Sequence, residues 1–422
     1  MDDPRLAGGN FTTEDERRTI INKYDKGRAD DAVIEDWEDP DFSVYKSTDR
    51  YGFMHKQKLP DVLVPPKVKE LERERALKWG KMLRNWEKFQ GTDTLYKRIY
   101  KGIPNSVRGQ VWKKFLHIDE IKAEEVYEQM KELARRVSPD IKQIDLDVHR
   151  TFRDHVMFRE RYNIKQQALF HLLAAYSMYN EKLGYCQGMS SLAALLLTYL
   201  NEEDAFWGMV TLIGDRKYAM HGFFIPGLPK LFACCDMHSR GRERLLPKLD
   251  KHFKKHNIDP SHYCTPWFFK LFLECLPFSL TLRIWDALLL EGEKVLLSAC
   301  LAILRINRKP LLSGGEDHIR EFLQELKSAN LNEEDMIAEL QSTMADLTKA
   351  GLAIPPQVAE LQDIGHLNRI SVQKAKSRLS ALNSSGNNAV PNGFTAGTIQ
   401  NGTGNEKSLS SAPILYGSET AL

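Results

Sequence analysis

The chain has no apolar run long enough to span a bilayer. Its longest, Met189 to Leu200, falls short of the roughly 20 residues a membrane helix needs and carries serine and threonine. It has no charge excess: 59 basic residues stand against 57 acidic ones, so there is no electrostatic reason to expect nucleic acid or an acidic membrane surface. Cysteine is scarce, with 6 in 422 residues and no Cys-x-x-Cys, which fits reduced, mostly buried thiols in a cytoplasmic protein. The nearest Cys/His grouping along the chain, His262 with Cys264, lacks the second pair that zinc would need. The start Met-Asp-Asp-Pro is acidic and unlike a secretory signal, so the Asn-x-Ser/Thr triplets at Asn10, Asn383 and Asn401 are read as chance.

Signatures of resident chemistry are missing too. There is no GxxxxGK[ST] phosphate loop and no GxGxxG after a strand, so the chain is not expected to bind a nucleotide unaided. There is no HExxH, and Gly188-Met189-Ser190 is not a GxSxG nucleophile elbow. No cofactor and no metal are expected. Runs of alternating strand pattern are absent as well, and the fold class expected is all-α.

What is present is a soluble, core-forming composition, 42% hydrophobic and 27% charged, with repeated helical periodicity. Residues 1–65 read as an N-terminal arm: a short helix from Thr13 to about Lys26, then Trp37, Tyr45, Tyr51 and Phe53 pinned onto a domain. Residues 66–99 carry a long helix, continuous to about residue 90, with Leu71, Leu77, Trp79, Met82 and Trp86 on its apolar face. The main domain spans 100–310. Further helices follow over 311–376, and from Ser377 to 422 a tail rich in Ser, Asn, Gly and Thr is expected to be disordered. Thr265-Pro266 reads as a helix start.

Two polar residues frame the centre. Arg150 and Gln187 lie 37 residues apart, which along one straight helix would be roughly 55 Å. Between them, Leu169, Leu172, Leu173 and Tyr176 sit at helical spacing, Gly184 stops that helix, and a new one starts near Met189. The chain therefore turns back, and Gln187 sits at a helix-to-helix corner. Taken singly, these residues say little: Asp147 and Arg150 suit a surface ion pair, and Gln187 a solvated turn.

In combination they say more. Arg108-Gly109-x-x-Trp112, Ile144-x-x-Asp147-x-x-Arg150 and Tyr185-x-Gln187-Gly188 occur in that order. Gly102-Ile103-Pro104 precedes them; Trp267-Phe268-Phe269 and Arg283-Ile284-Trp285-Asp286 follow. This set resembles the TBC domain of Rab GTPase-activating proteins over about residues 100–310. Ile144 to Arg159 and the Trp37-Glu38-Asp39 arm look most like the RN-tre subgroup.

The resemblance implies a multi-helix activator of Rab GTPases, acting in vesicle trafficking. It makes Arg150 an arginine finger and Gln187 a glutamine finger supplied in trans. Asp147 would hold the finger, Arg108 and Trp112 would brace its helix, and Tyr185 and Gly188 would shape the corner. The partner implied is a GTP-bound Rab carrying its own GTP and Mg²⁺. The chain itself would be an enzyme regulator, cytoplasmic, and recruited to endosomal or Golgi membranes only through the Rab. Two alternatives stay open: a non-catalytic Rab-binding scaffold on the same fold, and a helical adaptor with an unrelated catalytic site.

Overall fold

The helical periodicity becomes twenty α-helices among the described residues of a computed structural model, which describes 12–28, 47–56, 58–59, 66–329, 331–358 and 363–386. The described residues up to Leu379 form one compact unit. From Ser380 onward only the end of the Ile364–Gly386 helix is described. No described helix is long and apolar enough to cross a membrane.

At the centre lie helices Ile164–Tyr179 and Met189–Tyr199, apolar on nearly every side and almost wholly buried. A helix apolar all round must be enclosed, and here others pack around it. Val126–Val137 and Ile141–Arg150 cover one side of Ile164–Tyr179, and Glu202–Gly214 covers another. Five tryptophans, Trp79, Trp112, Trp207, Trp267 and Trp285, are fully buried in this core.

The N-terminal helix Glu14–Lys26 begins as its sequence predicts. Thr13 Oγ1 accepts from the Glu16 amide at 3.2 Å, and Glu16 reaches back to the Thr13 amide at 3.1 Å, satisfying two end donors. Its Tyr24 ring stacks on Phe170 at 3.8 Å, and the phenol donates to Asp145 at 2.9 Å. The arm helix is thereby fastened to Ile141–Arg150, the helix that carries Arg150.

Several expectations need correction. A two-stranded antiparallel hairpin, Ser47–Thr48 with Met54–His55, exists where no strand was expected. It is pinned to the segment after Arg150: the Met54 amide donates to the Asp154 carbonyl at 2.7 Å and the Val156 amide to that of Gly52 at 2.9 Å. Trp37 and Tyr45 lie outside the described residues. The helix expected to run unbroken to about residue 90 ends at Leu83, and a separate turn covers Trp86–Phe89. Leu71 and Leu77 are exposed, because the face of that helix that reaches the core carries Trp79 and Met82, with Leu83 packed partly against it. Thr265-Pro266 is not a helix start: the helix is Ser261–Phe269, opened after Pro260, with Pro266 inside it. The last helix runs on to Gly386, past Ser377, and residues 387–422 lie outside the described residues.

Candidate functional site

Ile141–Arg150 turns Ile141, Ile144 and Val148 inward at helical spacing, leaving Arg150 at its last position on the surface. Arg150 is 53% exposed, yet it pairs at 2.6 Å with an Asp147 carboxylate that is only 1% exposed. Asp147 is the hub. Its Oδ1 also takes the Gln143 amide at 3.0 Å, and its Oδ2 takes the Tyr185 phenol at 2.5 Å. Burial, and then the neighbouring Asp147 charge, pushes the Tyr185 phenol far above its ordinary value, so it remains a donor. The helix end is closed by Thr151, whose hydroxyl donates to the Asp147 carbonyl at 2.6 Å and lies 2.8 Å from Ser190 Oγ.

The second corner is built between Tyr179 and Met189. Gly184 and Gly188 both adopt left-handed conformations, φ 65° and 100°, which a side chain resists. Gly188 begins helix Met189–Tyr199. The Tyr185 amide donates to Asp140 Oδ2 at 3.0 Å, at the start of the Arg150 helix. Gln187 is exposed and has no hydrogen-bond partner among the described residues. Three side-chain ties therefore stitch the two corners together: Asp140 to the Tyr185 amide, Asp147 to the Tyr185 phenol, and Thr151 to Ser190.

Arg108 and Trp112 do not brace the Arg150 helix. Arg108 is buried, 6% exposed, and its Nε and Nη2 reach the fully buried Asp286 carboxylate at 3.2 and 3.3 Å. The remaining guanidinium bonds go to Asn105 Oδ1 and the Ile103 carbonyl, both at 2.7 Å. Trp112 is more than packing, since its Nε1 donates to Asp286 at 2.8 Å. Burial pushes the Asp286 carboxyl up, while Arg108 and Trp112 pull against that. Gly109 explains the rest of the motif. A Cβ there would stand 2.2 Å from the Tyr199 carbonyl, so only glycine lets helix Asn105–Phe115 press its backbone on the end of Met189–Tyr199. Trp112 lies 5.0 Å from the Tyr199 ring, and the Arg108 guanidinium 5.5 Å from it. This clamp grips the far end of the helix that Gly188 begins, about 18 Å from Gln187 at 1.5 Å per residue.

Sequence reading missed Asp140, Gln143, Thr151 and Ser190, because their roles depend on which helices meet. It also missed His155, whose ring sits beneath the hairpin: Nε2 lies 2.8 Å from the Tyr51 carbonyl, and Nδ1 accepts the Met157 amide at 3.1 Å. It missed a buried His238, Cys264 and Cys300 cluster as well. The one signal along the chain was Cys235-x-x-His238.

Residues 105–312 match the Rab-GTPase-TBC domain. The mouse (Mus musculus) protein TBC1 domain family member 10B is 33% identical over 265 residues, which is 62% of this chain. This chain spans 33% of that relative's length. The crystal structure of the Chlamydomonas flagellar RabGAP TBC domain superposes with a TM-score of 0.55 at 26% identity, covering 70% of this chain and 99% of that one. The Ypt/Rab-GAP domain of Gyp1p, 17% identical with a TM-score of 0.53, covers 64% of this chain and 98% of its own and shares the fold. This all-α frame is that of a TBC domain. Through residues 105–312 the chain belongs to the TBC-domain family of Rab-GAP proteins.

Proposed function

We propose that the chain is a GTPase-activating protein for Rab-family GTPases, lending Arg150 and Gln187 to the active site of a GTP-loaded Rab. One observation carries this reading. An exposed arginine and an exposed glutamine sit on adjoining corners, held there by buried groups. Solvated surface residues need no such scaffolding.

The chemistry follows from charge. GTP hydrolysis spreads negative charge over the γ-phosphoryl oxygens, and an arginine inserted from outside neutralises it. The planar guanidinium bridges two oxygens, which a lysine cannot do. The Gln187 amide, free of partners among the described residues, is available to orient the attacking water in place of the Rab's own group. Asp147 keeps Arg150 near its working position until docking, so little rotamer freedom is left to lose then. GTP and Mg²⁺ are the Rab's, and no resident cofactor takes part in hydrolysis. Membrane contact comes through the Rab. The RN-tre-like features of Ile144 to Arg159 make endosomal and Golgi Rabs the first to try.

The test is single-turnover hydrolysis by a broad panel of GTP-loaded Rabs with wild type, Arg150→Ala and Gln187→Ala. At least one Rab should be accelerated by wild type and by neither variant. Acceleration of no Rab would refute the activator. Binding to GTP-loaded Rab without acceleration would establish the scaffold reading instead.

A further inference from the structure

Helices Pro229–Leu245, Ser261–Phe269 and Lys294–Ile306 pack pairwise in the second half of the domain. Each sends one sulfur- or nitrogen-bearing side chain into their common interior: His238, Cys264 and Cys300. All three are completely buried. A ring nitrogen of His238 and the two Sγ atoms lie within 4.8 Å of one another. We propose that this trio is a structural metal site for one thiophilic divalent cation, zinc by its donor set, that fastens the three helices together.

The strongest support is an imidazole nitrogen with nothing to do. His238 Nε2 lies 2.8 Å from the Tyr263 hydroxyl, while Nδ1 is buried with no hydrogen-bond partner among the described residues. Burying an imidazole nitrogen without a partner costs free energy, and a metal ion satisfies its lone pair. Tyr263 supplies the outer contact that metal-bound histidines usually have: with Nδ1 on the metal, Nε2–H donates to Tyr263 Oη and the ring is held in place.

Charge and geometry favour zinc. Two thiolates and one divalent cation sum to zero, which suits a dry interior where a lone charge is expensive. Binding exchanges the two thiol protons for the cation, and both protons leave to solvent. The neighbouring Arg242 is already matched by Asp250 at 3.0 Å. Donors around zinc stand roughly 3.3–3.8 Å apart, given bonds of about 2.0–2.3 Å, so the trio needs only a small contraction. Distance along the chain hides this set, since its members come from three helices. It is independent of the Rab reading.

The full chain, expressed with zinc in the medium, should carry about one zinc per molecule. Expressed with cobalt, it should show a thiolate-to-cobalt charge-transfer band. Cys264→Ala with Cys300→Ala should lose both signals, whereas Cys275→Ala, a cysteine outside the cluster, should keep them. If the double variant does not fold, the wild type decides: a strong chelator should lower its melting temperature and added zinc restore it. Folded wild type without zinc and unaffected by chelator would overturn the proposal. So would a metal-free Cys264–Cys300 disulfide, or full zinc content in a folded double variant.

Discussion

Replacing Arg108 by alanine removes the guanidinium that hydrogen-bonds Asp286, a carboxylate with no exposure to water. Among the described residues, Trp112 Nε1 would then be the hydrogen-bond donor left on that carboxylate. Breaking a buried ion pair by deleting one partner costs about 3–5 kcal/mol, because a charge is left uncompensated. At roughly 2 °C or more per kcal/mol for a domain of this size, the melting temperature should fall by about 6–10 °C. Arg150→Ala is expected to do the reverse. Its side chain is half exposed, and Asp147 keeps the Tyr185 phenol and the Gln143 amide, so the stability loss should stay below about 1 kcal/mol. The hydrolysis it supports should fall about 10³–10⁵-fold, the range an arginine finger supplies. The assay is paired: thermal unfolding of each variant, and single-turnover GTP hydrolysis by a responsive Rab at a temperature where each is folded. Arg108→Ala should be unstable but nearly as active per folded molecule, and Arg150→Ala stable and inactive. A stable Arg108→Ala that has lost activity would refute the assignment of Arg108 to the frame.

Gly188→Ala meets no atom within 4 Å but must hold φ near 100°, so it should cost about 1–2 kcal/mol in denaturant unfolding and slow hydrolysis by shifting Gln187. Burial lowers the His155 pKa, so its protonation costs more in the folded chain than in the unfolded one. Stability of the hairpin contact should therefore be full above the ordinary histidine value of about 6.5 and be lost as pH falls below it. Hydrogen exchange of the Met54 and Val156 amides at pH 5.5 and 7.5, set against His155→Gln, reads this directly. The C-terminal helix holds the stretch just before the Gln187 corner: Tyr179 donates to Asn368 at 2.5 Å, and Ser371 to the Tyr179 carbonyl at 3.0 Å. Asn368→Ala with Ser371→Ala should speed amide exchange over residues 179–184, and unchanged exchange would show that this helix holds nothing.

Much of the frame was legible because helix signals are local. The capping box at Thr13 and the inward spacing of Leu169, Leu172, Leu173 and Tyr176 each rest on residues within a few positions of one another. The errors were local conflicts that packing resolved. Leu71 and Leu77 have the right period but no neighbour to bury them. Pro266 looked like a first-turn proline, but the chain enters that helix one turn earlier, after Pro260. The hairpin over 47–55 carries too few residues for an alternating pattern, and its stability comes from pairing with Asp154 and Val156.

The residue order alone carried the helices, the turn-back between Arg150 and Gln187, and the motif set that marks a TBC domain. Helix period, caps and glycine corners are written within one or two turns of chain. Partnership between distant side chains is not. Asp147 meets Tyr185 across 38 residues and Arg108 meets Asp286 across 178, and either pairing requires knowing which helices touch and at what height. Only the folded chain therefore separated Arg108, a buried counter-ion within the frame, from Arg150, an exposed one at the surface. The same packing brought His238, Cys264 and Cys300 together from three helices. Pairwise distance in a folded chain follows helix packing, which depends on all the buried faces at once.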